Sequence, residues 1–90
     1  MRIHELIVEP GREEHIARHH VTLQEVEQVV FGQHANYRTR QGRYGLVGQT
    51  EGGRYLLVIL TPREHGLYSL VTARDASDAD RRLYQRRRRR

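Results

Sequence analysis

Apolar and polar positions change their period three times along this chain, and the changes mark its elements. Arg2–Val8 (RIHELIV) is a candidate short first strand, broken by Pro10-Gly11. Arg12–His19 then takes a helical spacing, with Ile16 and Ala17 as its apolar contacts. Thr22-Leu-Gln-Glu25 matches a capping box, and Leu23, Val26 and Val30 fall at i, i+3 and i+7 on one buried stripe that Gly32 ends. From there the period is that of strands. Ala35–Arg40 alternates, Gln41-Gly42 turns the chain into Arg43–Thr50, and Glu51-Gly52-Gly53 turns it again. Arg54–Thr61 (RYLLVILT) is apolar almost throughout, which predicts a central strand covered on both faces. Pro62–Gly66 makes the next turn and Leu67–Arg74 alternates. Ser77-Asp-Ala-Asp80 begins a last helix that buries Ala79 and Leu83 and runs into five arginines. The expected architecture is α+β: a small antiparallel sheet of four main strands, two N-terminal helices and one C-terminal helix, with the helices on the sheet's core face.

Ninety residues make one domain, expected over residues 1–85, with Arg86–Arg90 as a tail whose like charges favour disorder. Cysteine is absent, which excludes a disulfide framework and thiolate metal sites and fits a reducing compartment. No apolar run approaches the roughly 20 residues that span a bilayer, and Met1–Pro10 does not resemble a secretory signal, so a cytoplasmic location without a membrane partner is expected. All 16 basic residues are arginine, and the tail alone accounts for the net charge of +5. Sixteen less the five of the tail leaves 11 basic residues against 11 acidic ones, so the body is neutral. Any anionic partner must be held by local arginine clusters or by the tail, and the guanidinium fork suits phosphate.

Three stretches carry a resemblance to a known family. His15–Glu27 (HIARHHVTLQEVE) resembles the N-terminal helical motif of the BrnT-type toxins, Gly48–Leu57 (GQTEGGRYLL) their central hairpin, and Val71–Asp75 (VTARD) with Asp80–Tyr84 (DRRLY) their closing motif. Together they cover about residues 13 to 86. The resemblance implies a RelE-like fold and a toxin of a type II toxin–antitoxin system. It further implies RNA cleavage without metal or cofactor, inhibition of translation, and neutralisation by a small antitoxin, often of the ribbon-helix-helix type. A homodimer or a toxin–antitoxin heterotetramer would then be the assembly. Two positions depart from the family pattern: His20 stands where glycine is usual, and Val8-Glu9-Pro10 replaces an aromatic–acidic pair.

Metal-independent RNA cleavage requires proton transfer and a cation beside the phosphate, and the 2′-hydroxyl marks the substrate as RNA. Arg74, at a strand end after a small residue, is the first candidate; its alternative is an ion pair with Asp75 or Asp78. Arg54 opens the neighbouring strand, and hairpin pairing is expected to set it beside Arg74 with a phosphate between them; alternatively it is only solvated. Tyr84 either stacks on a base or is a half-buried core residue. Arg38, Arg40 and Arg43 extend a phosphate-binding face or protect a strand edge. His15 and His19 have the i, i+4 spacing of two metal ligands without an evident third, so proton transfer, by His19 in particular, is favoured over metal binding. His65 falls in a turn as a solvent residue. Two other readings use the same residues: a non-catalytic RNA- or protein-binding module of the same fold, and a protein-interaction domain whose Arg38–Arg43 strand docks an acidic partner.

Overall fold

The computed structural model describes residues 1–88. Its order is β1 (Glu5–Ile7), α1 (Arg12–Ala17), α2 (Leu23–Val30), β2 (His34–Arg38), β3 (Tyr44–Gln49), β4 (Tyr55–Pro62), a 3-10 turn (Glu64–Gly66), β5 (Leu67–Asp75) and α3 (Asp78–Arg88). The five strands form one sheet in the order β1-β5-β4-β3-β2. The four predicted strands pair antiparallel. The first strand is shorter than Arg2–Val8 and joins the far edge parallel to β5, which makes the sheet mixed. A parallel edge needs a crossover, and α1 through β4 supply it.

The apolar strand at the centre is covered on both faces: Leu56, Leu57, Val58 and Leu60 are at most 3% exposed. Leu56, Val58 and Leu60 meet Ile16, Val21, Val26, Val29 and Val30 from the two N-terminal helices. Leu57 turns the other way, toward Ala35, Val47 and Tyr84. The helices therefore do not share one face. α1 and α2 cover one side, while α3 lies on the other over β2 and β3. That split gives neighbouring residues of β4 separate cores, which is why the strand lacks alternation.

The capping box of α2 is present: Glu25 N–H donates to Thr22 Oγ1 at 3.2 Å, and Thr22 N–H donates to Glu25 Oε1 at 3.0 Å. Ser77 and Asp80 make the same reciprocal pair at 3.0 and 3.1 Å. Gly32 follows α2 without a left-handed φ; a side chain there would collide with the Gln28 carbonyl. In α1, Ile16 is buried and Ala17 exposed; in α3, Tyr84 is buried, Leu83 half-buried and Ala79 exposed. The tail departs from its expected disorder as far as it is described. Arg86–Arg88 form the last turn of α3, where cations meet the negative helix end, and Arg87 Nη1 donates to the Asn36 carbonyl at 2.8 Å. Arg89 and Arg90 lie outside the described residues.

One irregularity decides where side chains point. Leu57 faces Arg74 and Ile59 faces Thr72, but Leu60 faces Leu70, so Val71 is an extra residue in β5. Leu70 and Ala73 both pack under the N-terminal helices although three positions separate them. The bulge has exchanged the two faces of β5 between them.

Candidate functional site

Arg74 lies opposite Leu57 and so shares the α3-bearing face of the sheet, where it is exposed. Its Nη1 donates to the Asp75 carbonyl at 3.0 Å, and among the described residues it makes no ion pair. The expected alternative, a pairing with Asp75 or Asp78, is not what the side chain does. Its remaining N–H donors are available to an anion.

Tyr37 faces the same side of the sheet from β2, with β4 and β3 between its strand and that of Arg74. Tyr37 pairs with Gly45, and its ring lies so close over that glycine that an added Cβ would sit 2.5 Å from Cζ and 2.7 Å from Oη. Glycine at 45 is therefore the space in which the ring rests. Burial pushes the Tyr37 hydroxyl above its ordinary value of 10.0; the Asp80 charge adds to this and Arg74 opposes it. Both charges thus act on this phenol, which stays protonated at neutral pH. Asp80 is set in the first turn of α3 by its exchange with Ser77. On the same face of β5, Thr72 Oγ1 lies 3.1 Å from Nε2 of half-buried His15. Arg74 offers a cation to a phosphate, and Tyr37 on the same sheet face and His15, which reaches Thr72 from α1, are groups able to exchange protons.

Arg54 does not belong to this group. It projects to the opposite side, where Nε donates to Asp75 at 2.8 Å, Nη1 to Glu25 at 3.3 Å and to the His20 carbonyl, and Nη2 to the His19 carbonyl at 3.3 Å. A phosphate would have to displace two carboxylates there, so the expectation of a phosphate between Arg54 and Arg74 fails. The hairpin does bring the two strand ends together, but the Val71 bulge sends the side chains to different faces. The paired charges hold the Asp75 carboxyl below its ordinary value, chiefly through the Arg54 hydrogen bond, and hold the Arg54 guanidinium above its own, again chiefly through Asp75. This clamp also fixes the turn between α1 and α2. His20 adopts φ 60° there, the left-handed backbone for which glycine is the default.

Tyr84 is 4% exposed and meets the Tyr55 ring edge-on at 5.9 Å, so it is a core residue with no face open to a base. His19 is exposed, with its ring centroid 5.8 Å from that of His15. Among the described residues no three histidine or acidic side chains gather as a metal site. Arg38 shares a face with Tyr44, its guanidinium 5.2 Å from that ring, on the side that α1 and α2 cover. Arg40 lies in the turn after β2, not on a strand. Arg43 lines an open pocket with Arg12 and Arg63. His65 is exposed in the 3-10 turn at φ 56°. Sequence favoured His19 over His15 for proton transfer, and it did not single out Tyr37, Asp80, Arg12 or Arg63. Tyr37 alternates with Ala35, a signal that was there to be used; the others depend on long-range packing.

No helix among the described residues is long and apolar enough to cross a membrane. No protein-family model matches this chain, and a search of curated proteins found no match. Among solved structures the chain is similar to the ribonuclease toxin BrnT of Brucella abortus, with 23% identity and a TM-score of 0.66, covering 82% of this chain and 97% of that one. The α+β architecture implied by the three sequence motifs is thus the one the chain adopts, and its fold is that of BrnT.

Proposed function

We propose that this chain is the toxin of a toxin–antitoxin pair and cleaves RNA without a metal. The observation that carries the reading is Arg74, exposed and without an ion pair among the described residues, on a sheet whose fold is that of the Brucella ribonuclease toxin. In the proposed reaction the 2′-oxygen attacks phosphorus and the bond to the 5′-oxygen breaks. His15 accepts the proton of the 2′-hydroxyl, the Tyr37 hydroxyl delivers one to the departing 5′-oxygen, and Arg74 neutralises the charge that grows on the phosphate. The products are a 2′,3′-cyclic phosphate and a 5′-hydroxyl. His19 is the reserve proton carrier beside His15. A small antitoxin, of ribbon-helix-helix type by the family resemblance, neutralises the toxin most simply by covering this face.

The test is incubation of the purified chain with RNA in EDTA, beside Arg74→Ala. Removing one charge-stabilising group should slow cutting by about 100-fold or more. If neither protein cuts, or both cut equally, the assignment is wrong. A second reading, a binding module of the same fold without turnover, is favoured by one observation. Among the described residues no proton-transferring side chain is hydrogen-bonded to Arg74. In that case RNA binding persists in both proteins and neither cuts.

A further inference from the structure

α3 covers only part of its face of the sheet, and the uncovered part holds a second concentration of positive charge. Arg12, Arg43 and Arg63 wall an open pocket, with Thr61 and Ser69 beneath them. Thr61 pairs with Ser69, and Thr61 points opposite to the buried Leu60, so this floor belongs to the face of Arg74. Resting on the ribonuclease reading for the choice of polyanion, we propose that this pocket is a second phosphate-binding subsite. It takes the backbone of single-stranded RNA whose reacting phosphate lies at Arg74.

The three guanidinium groups are held in different ways, all of which leave donors over. Arg63 Nη1 donates to Ser69 Oγ at 3.1 Å, and Ser69 is 6% exposed, so a buried hydroxyl aims this fork. Arg12 Nη1 donates to the carbonyl of Val71, the bulge residue, at 3.1 Å. Arg43 has no side-chain partner among the described residues. The one carboxylate on the pocket, Glu9, lies 4.0 Å from Arg63 with both side chains more than half exposed, a weak pair that a phosphate displaces at little cost. Hydroxyls and forks without an aromatic anchor suit phosphate better than the apolar centre of a protein interface. Ser69 and Arg74 are separated along β5 by roughly 15 Å at the rise of a strand, so the two sites hold different phosphates of one chain.

The probe is a 2′-O-methyl RNA decanucleotide, which cannot be cut, titrated against the otherwise wild-type protein at several salt concentrations. Arg43→Gln and Arg63→Gln should each weaken binding about fivefold and lower the salt slope by about 0.7, the value for one phosphate on a single strand. Glu9→Gln should tighten binding, a gain that damage to the fold does not produce. Arg82→Gln, which removes an exposed charge on α3, should leave binding unchanged. The proposal is overturned if Arg43→Gln and Arg63→Gln leave affinity and slope unaltered, or if Arg82→Gln weakens binding as much as they do. It is also overturned if they abolish only the binding of an acidic protein partner. Because the probe is inert, a protein that binds it as described yet never cuts ordinary RNA refutes the ribonuclease reading and leaves the subsite standing.

Discussion

Arg54→Met separates stability from chemistry at a position that sequence alone places in the active site. The substitution keeps the aliphatic stem and removes every donor. Its cost follows from the partners left behind. The bond to Asp75 is largely solvated, since that side chain is 72% exposed, and screening leaves it about 0.5 kcal/mol at most. Glu25 is 26% exposed and loses its cation while still bound to Thr22, and the carbonyls of His19 and His20 each lose a charge-assisted hydrogen bond. At about 0.5 to 1 kcal/mol for each of those three, the total is roughly 2–3 kcal/mol. In a domain of this size that lowers the melting temperature by roughly 10–20 °C. Urea unfolding of wild type, Arg54→Met and Arg54→Lys measures it, and the lysine variant should recover part of the loss.

The clamp also fixes a pH signature. Asp75 titrates lower in the folded chain than its ordinary value of 3.8, so its contribution is fully present above that value and disappears as pH falls through the folded one. The stability gap between wild type and Arg54→Met should therefore narrow below about pH 4. A variant that is as stable as wild type but cannot cut RNA would refute this assignment and return Arg54 to the chemistry.

Four further outcomes follow from single positions. Gly45→Ala must displace the Tyr37 ring, so it should cost roughly 1–3 kcal/mol in chemical denaturation and slow RNA cleavage. Tyr37→Phe should slow cleavage while the fold keeps its stability; equal activity in Tyr37→Phe would remove the phenol from the reaction. Burial lowers His34 from its ordinary 6.5, and its Nδ1 is buried without a partner among the described residues. Its contribution is therefore full above about pH 6.5 and lost as pH falls toward the folded value, and His34→Phe should flatten that part of a stability–pH curve. His20→Gly relieves a left-handed backbone at φ 60° and should raise the urea midpoint by the equivalent of up to about 1 kcal/mol, whereas a fall would mean that the imidazole itself supports the turn.

Local signals in this chain are strong where they are chemical. Thr22 with Glu25 and Ser77 with Asp80 announce both longer helices, because each capping pair is complete within four residues. The run Leu56–Leu60 likewise announces a strand buried on two sides. What lies beyond reach is decided by partners distant in sequence. β1 finds β5 some sixty residues away, and nothing in Glu5–Ile7 states that the pairing is parallel. The arginine tail shows the opposite error. As five like charges it favours disorder, yet its first three residues continue α3 because Arg87 finds the Asn36 carbonyl and Arg88 the Tyr84 ring.

The candidate site turns on a single unpaired residue. Were β5 to keep the register of Leu60 and Leu70 to its end, Arg74 would fall on the same face as Arg54, as a simple hairpin predicts. Val71 adds one residue to β5 alone, and every later side chain of the strand exchanges faces. Ala73, small enough to sit beneath the N-terminal helices, takes the core position, Asp75 reaches Arg54, and Arg74 is released to the open face with Thr72. Nothing in the alternation of Leu67–Arg74 marks that slip, since valine fits a strand in either register. The same bulge turns the Val71 carbonyl to Arg12, and so contributes to the second arginine cluster as well. One inserted residue thus separates a structural clamp on one face from two phosphate-sized concentrations of charge on the other, in a body whose charges otherwise cancel.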